Sequence, residues 1–329
     1  MSEKIAVIGS NSFSGANFVD FALAEKAEVI GISRSHEPHA VFLPYKKRNN
    51  STFCFYQLDL NYDLEKIMEI IDNFKPHYVV NFAAQSMVAE SWQSPQHWFQ
   101  TNVVSTIRLH DRLRKCTFLK KYVHISTPEV YGNCQGLIKE NTLYNPSTPY
   151  AVSKAAVDMS LITFYKRYNF PVVFTRAANV YGPGQQLYRI IPRTILYFLT
   201  GKKLQLDGGG KSVRSFIHIR DVADGTLRVA RLASPGDFFH FSTSTNIKIH
   251  SLVRMIAEQM NISFEDNVEF TQERPGKYNA YLLDNSKAKT MLGWKEKISL
   301  EEGIAQTIAW VRNNLEILVK QNFSYIHKA

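Results

Sequence analysis

Tyr150 and Lys154 stand four residues apart, a spacing that puts two side chains on one face of a helix. The pairing has a chemical purpose. A lysine ammonium ~4 Å from a phenol, at an effective dielectric of ~20, favours the phenolate by about 4 kcal/mol. That is roughly three pKa units, enough to bring a tyrosine from ~10 toward 7 before burial opposes it. A tyrosine so tuned can take a proton from an alcohol near neutral pH. In a chain with 16 tyrosines the spacing also arises by chance. Its weight comes from its place, one strand after Ile125-Ser126-Thr127, where a hydroxyl can bind the same substrate oxygen.

The elements that position these groups alternate. Short apolar runs read as strands at Lys4 to Gly9, Glu28 to Ser33, Phe53 to Asp59, Tyr78 to Phe82, Tyr122 to Ser126 and Val172 to Arg176. Helical patterns lie between them, at Gly15 to Glu25, Leu64 to Phe74, Pro95 to Lys115 and Tyr150 to Tyr168. Strands alternating with helices imply an α/β fold, a doubly wound parallel sheet covered on both faces. Beyond Tyr181 the rhythm changes, with Gly182-Pro-Gly, a Gly208 to Gly210 turn and mainly helical patterns. The expected organisation is one domain of residues 1–180 plus about 214–242, and a smaller, mostly helical substrate lobe of about 181–213 and 243–329. Such a junction is where ligands bind.

The first strand runs into Gly9-Ser-Asn-Ser12-Phe13-Ser14-Gly15 and then a helix. Glycines there allow a tight turn and let backbone approach a pyrophosphate at the helix N-terminus. Ser12 stands where the spacing has its middle glycine, and the position at the start of a strand-helix-strand unit strengthens the reading. An acidic residue ending the second strand would favour NAD, and an arginine the 2′-phosphate of NADP. The chain has Ser33-Arg34-Ser35, with no carboxylate before Glu37. Arg34 therefore favours NADP over NAD, its rival role being an exposed loop arginine. Asp59 is placed to meet the adenine amine, or else serves as a turn residue.

Composition excludes several classes. The 45% hydrophobic and 21% charged content is that of a soluble globular chain. No apolar run approaches the roughly 18–20 residues of a membrane span. The three cysteines, Cys54, Cys116 and Cys134, have no paired spacing, which argues against a disulfide framework or a metal site and for a reducing cytoplasm. The net charge of +10 suits a small polyanionic ligand. Without long basic runs, neither nucleic acid nor membrane is an expected partner.

The motifs "STPEVYG" (Ser126 to Gly132), "PYAVSKAAVD" (Pro149 to Asp158), "TRAANVYGPGQ" (Thr175 to Gln185), "VRSFIHIRDVA" (Val213 to Ala223), "ERPG" (Glu273 to Gly276) and "LGW" (Leu292 to Trp294) together resemble the extended short-chain dehydrogenases that act on nucleotide sugars. The Thr-x-Glu of Thr127 and Glu129 is similar to that of their 4,6-dehydratases. The resemblance implies a Rossmann domain and a homodimer paired through two helices. It also implies a reaction in which Tyr150 takes the proton of the sugar 4-hydroxyl while Thr127 binds O4 and Lys154 holds the ribose. Glu129 then removes the C5 proton as water leaves C6, and the cofactor is regenerated. Gly9, Ser12, Phe13, Ser14, Gly15, Arg34, Asp59, Leu60, Ala83 and Ala84, with Tyr150 and Lys154, would line the cofactor. Ser86, Thr127, Asn179, Arg189, Arg214 and Arg274 would hold the substrate.

One departure matters. The dTDP-glucose enzymes commonly carry an aspartate between the threonine and the glutamate, and Pro128 stands there. The GDP-mannose enzymes have a serine at that place. "NFAAQSMV" (Asn81 to Val88) resembles the GDP-mannose type, and "NVYGPGQQLYRIIP" (Asn179 to Pro192) the dTDP-glucose branch. A 4-epimerase or UDP-glucuronate decarboxylase shares the oxidation step, and a dinucleotide-binding protein without catalysis is the reading from another class.

Overall fold

The computed structural model describes residues 2–48, 52–134, 136–272 and 282–328. Arg274 lies outside them. The first eleven strands are β1 (Lys4–Ile8), β2 (Glu28–Ser33), β3 (Phe53–Gln57), β4 (Tyr78–Asn81), β5 (Lys121–Ile125), β6 (Leu137–Ile138), β7 (Val172–Ala177), β8 (Asn179–Tyr181), β9 (Leu204–Asp207), β10 (Val213–His218) and β11 (Phe238–Phe241). The helices relevant to the site are α1 (Phe13–Ala24), α2 (Leu64–Phe74), α3 (Pro95–Phe99), α4 (Thr106–Leu113), α5 (Pro149–Tyr168), α6 (Ile190–Leu199) and α7 (Ile219–Leu232).

Seven strands form one sheet in the order β11-β7-β5-β4-β1-β2-β3, and every pairing in it is parallel. This is the expected Rossmann sheet. The strand order reverses between β1 and β4, the switch point outside whose carboxyl ends ligands bind in such sheets. Val7, Val80, Val123 and Val173 on one face, and Ala6, Val79 and Val172 on the other, are fully buried, as a sheet covered on both sides requires.

Local chemistry starts the two helices that matter most. The Ser12 side chain accepts a bond from Gly15 N at the head of α1, and Thr148 does the same for Ala151 N at the head of α5. Pro149 fits the first turn of α5, where its missing N–H costs nothing. Asn169 ends that helix in the left-handed conformation.

Some boundaries differ from the sequence expectation. β3 stops at Gln57, because Asp59 starts an Asx turn by accepting from Asn61 N at 2.8 Å. The helix expected over Pro95 to Lys115 is interrupted by a wide π-turn at Gln100–Ser105. Its buried side chains bond other elements, Ser105 to Asn61 and Asn102 to Gln85 and Ser153.

A second core gathers around α6 and the later helices, with Ile195, Leu204, Ile256 and Ile304 fully buried. The stretch Ala288 to Trp294, expected in that lobe, instead packs with the first core. The Trp294 indole donates to Asp221 O on α7 at 2.9 Å. Gly208 to Gly210 all have positive φ and make a tight turn between β9 and β10, as read from the sequence. No helix among the described residues is long and apolar enough to cross a membrane, and none of their side chains form a group able to hold a metal.

Candidate active site

Lys154 is buried against the sheet, and its ammonium donates to Ile125 O at 2.7 Å and to His124 Nε2 at 3.2 Å. Behind it, Asp158 and Arg176 are fully buried and paired at 2.8 Å. Ser126 donates to the same Asp158 oxygen at 2.6 Å. Arg176 also bonds the Tyr131 and Tyr144 hydroxyls. Burial pushes the Lys154 ammonium down to about 8, with Asp158 opposing and Arg176 adding to the fall. His124 on β5 is buried, and its pKa is held well below the usual value by burial and by the Lys154 charge.

Tyr150 is also buried. Burial raises its phenol pKa, the Glu129 charge adds to this, and a hydrogen bond with Thr127 and the Arg189 charge oppose it. The expectation set the Lys154 charge against burial, and here burial and the Glu129 charge prevail.

Thr127 sits just past β5. Its hydroxyl donates to the Glu129 carboxylate and accepts from Glu129 N at 3.4 Å. Pro128 opens the short turn between them and has no polar side chain. Thr127, Glu129 and Tyr150 are therefore neighbours, with Arg189 close enough to act on the phenol.

At the other end of the cleft, the β1–α1 turn is built for close approach. Gly9 has φ +81°, and a Cβ there would lie 2.6 Å from Ala83 N. A Cβ on Gly15 would lie 2.2 Å from Gly9 O. The first turn of α1 carries no acidic residue, leaving its N–H groups and positive dipole end to an anion. These features fit the pyrophosphate of a dinucleotide. Phe13 and Leu60 send their side chains into the cores, so only their backbone can face a ligand. Ser12 is the cap of α1, Ser14 lies in its first turn, and Ala83 and Ala84 follow β4, with Ala83 N bonded to Asn81 at 3.0 Å. Arg34 follows β2 and donates to Lys328 O at 3.2 Å. Glu37 is engaged elsewhere, accepting from the Tyr45 hydroxyl at 2.7 Å and pairing with Lys46.

Of the expected substrate residues, Ser86 is exposed just past β4. Asn179 donates to Ser215 O at 3.0 Å, tying β8 to β10. Arg214 lies on β10, its guanidinium donating to Val213 O at 2.7 Å. Sequence reasoning missed Asn102, which accepts from Gln85 N at 2.8 Å and donates to Gln85 O and to Ser153 on α5, pinning the loop after β4 to the helix that carries Tyr150 and Lys154. A π-turn that aims a polar side chain inward often marks a functional site, but the sequence holds no local signal for one.

Sheet order, glycine turn and the Thr-Tyr-Lys grouping define a short-chain dehydrogenase/reductase of the extended type. The sequence profile described as GDP-mannose 4,6 dehydratase matches residues 7–307, and the chain belongs to that family. It is similar to the dTDP-glucose 4,6-dehydratase of Xanthomonas campestris pv. campestris, 30% identical over 328 residues that cover 94% of this chain and 93% of the relative. The human dTDP-D-glucose 4,6-dehydratase is 30% identical over 287 residues, covering 85% and 80%. Among solved structures, a dTDP-glucose 4,6-dehydratase from Streptomyces venezuelae with NAD bound superposes with TM-score 0.88 at 27% identity, covering 95% and 98%. A UDP-glucose 4-epimerase from Thermotoga maritima with UDP-glucose gives 0.86 at 27%, covering 95% and 99%.

Proposed function

We propose that this protein is a 4,6-dehydratase that converts dTDP-glucose to its 4-keto-6-deoxy product. The observation that carries the reading is Glu129 bonded to Thr127 beside Tyr150. Oxidation at C4 needs the hydroxyl pair, but elimination needs a carboxylate as well. The glucose nucleotide is favoured by the dTDP-glucose dehydratases among the relatives.

Tyr150 and Thr127 would bind the 4-hydroxyl, and Tyr150 would take its proton as the phenolate, the form that the Thr127 hydrogen bond and the Arg189 charge favour against burial. A nicotinamide dinucleotide in the crevice supplies a hydride acceptor at the first step and a hydride donor at the last. Once C4 is a ketone, the C5 proton is acidic and Glu129 takes it. Pro128 offers no acid, so the proton gained by Glu129 goes to the departing C6 hydroxyl, and the two leave as water. Arg189, with Arg214 and Arg274, would grip the diphosphate, for which a planar guanidinium is suited. Asn179 and Ser86 would complete the substrate side.

The dinucleotide would lie on Gly9 to Gly15, with Ala83, Ala84, Leu60 and Asp59 around it and Lys154 at the ribose. NADP is the favoured form, because Arg34 follows β2 and Glu37, the nearest carboxylate after it, is tied to Tyr45 and Lys46. A homodimer is supported by apolar residues exposed on the two long helical stretches, Phe99 and Val104 on one and Val152 and Met159 on the other.

Mass spectrometry of purified protein with dTDP-glucose, GDP-mannose, UDP-glucose and CDP-glucose, with and without NAD or NADP, tests the reading. Loss of one water from dTDP-glucose is expected. Isomerisation without mass change would favour the epimerase, and water loss from another nucleotide sugar alone would move the substrate.

A further inference from the structure

The last described residues form an extended segment whose side chains alternate. Phe323, Tyr325 and His327 are half-buried, while Ser324, Ile326 and Lys328 are exposed. That period of two is the pattern of a strand laid on a surface, and the surface here is the mouth of the cofactor crevice. Phe323 packs against the second core, with the Lys202 ammonium 5.4 Å from its ring. The Tyr325 ring meets Tyr188 edge-on at 5.8 Å, beside Arg189. His327 stacks on Trp98 at 5.0 Å and bonds His97 at 2.8 Å.

The final contacts decide the matter. The Lys328 carbonyl accepts from Arg34 at 3.2 Å and from Gln85 at 2.6 Å. Its ammonium donates to Ser35 at 2.9 Å. Arg34 and Ser35 follow β2, and Gln85 follows β4. In the sheet β1 lies between those two strands, so one backbone carbonyl bridges the carboxyl end of β1. That is the switch point, where the Gly9 to Gly15 turn receives a dinucleotide.

We propose that residues 325–328 are a built-in competitor for the cofactor crevice, which must leave before a nicotinamide dinucleotide can enter. The proposal rests on the dinucleotide reading given above. The segment takes Arg34, the group proposed above to read a 2′-phosphate, and Gln85, the residue next to Ala84 in the proposed cofactor lining. A ligand that binds only the open form sees its apparent affinity reduced by the open fraction. If the segment is docked about nine-tenths of the time, removing it raises that affinity about tenfold. The gain falls on the association rate, since the bound state no longer contains the segment.

The test is stopped-flow binding of NADP and of NAD to the full chain, to a chain ending at Ser324, and to Tyr325→Ala and His327→Ala. Ending at Ser324 keeps Phe323 in its core, and the two point variants check the result without shortening the chain. Association about tenfold faster for the shortened chain, with dissociation unchanged, is expected. Amide hydrogen exchange of residues 323–328 in the full chain should accelerate when cofactor is added. Equal rates in all forms overturn the proposal. Faster dissociation, or greater protection of the segment on adding cofactor, also overturns it, because the segment would then be a clamp over the bound ligand. If no form binds either dinucleotide, the cofactor reading itself fails and this proposal falls with it; binding at equal rates sinks the competitor alone.

Discussion

The floor and the rim of the cleft hold their charges in opposite ways. On the floor, Lys154, Asp158, Arg176 and His124 come from α5, β5 and β7, all nearly or fully buried, and Asp158 is held by Arg176 on β7 and by Ser126 just past β5. On the rim, Arg34 and Ser35, half-buried, meet the exposed Lys328 through single bonds, and the Lys328 carbonyl reaches down to the buried Gln85. A buried charge is tolerated only where the scaffold supplies its partner, so the floor has one arrangement. Groups near water can exchange partners at little cost, so the rim can answer to ligands. On the proposed reading, the chemistry sits on the part that cannot move, and recognition on the part that can.

The strongest test of that division separates activity from stability at the boundary between the two regions. Glu129→Gln keeps the shape of the carboxylate and removes its basicity. Water loss should fall by about 10²–10⁴ in kcat, with the melting temperature and dinucleotide binding essentially unchanged. A variant that melts early would place Glu129 with the floor.

Arg176→Met probes the floor itself. It strands Asp158 as a buried, unpaired carboxylate, at a cost of about 3–5 kcal/mol, measured by urea unfolding. A loss under ~1 kcal/mol would mean that the floor is as adaptable as the rim.

The pH dependence of the floor follows from Lys154, whose pKa falls from 10.5 in the unfolded chain to about 8 in the folded one. Between those values the unfolded state binds more protons, so stability from this group rises with pH. Its penalty is fully present below about 8 and is relieved toward 10.5. Lys154→Met removes the titration. The stability of the native chain relative to this variant should therefore climb by roughly 2–3 kcal/mol across that window, a difference that cancels the other groups titrating there.

The smallest effect belongs to the rim. Arg34→Ala should weaken NADP by about tenfold, the loss of one charge-assisted bond, while NAD binding changes little. Equal weakening of both would remove Arg34 from any role in reading a 2′-phosphate.

Legibility divides along different lines. The parallel sheet was readable because its strands are short apolar runs separated by helical patterns. Thr127, Tyr150 and Lys154 were readable because their spacing is local, two of them on one helix and the third at the end of the preceding strand. Asp158 and Arg176 were within quoted motifs, but nothing local says that they pair, since that depends on α5 lying over β7. Asn102 depends on a π-turn that helical periodicity conceals. The 325–328 segment lies almost three hundred residues in sequence from the arginine it bonds. The balance at Tyr150 was not readable for a related reason: Coulomb attraction can be estimated from a spacing, whereas desolvation depends on the whole surrounding core.

The order of strands has a consequence for how the chain is made. β7 lies between β5 and β11, and β11 begins about sixty residues after β7 ends, roughly 3–12 s later at typical rates of synthesis. Throughout that interval β7 offers an unpaired edge of apolar residues, the kind of surface that joins the wrong chain. A newborn chain thus carries this edge while the second lobe is being translated, until the short strand Phe238 to Phe241 covers it and becomes the edge in its place.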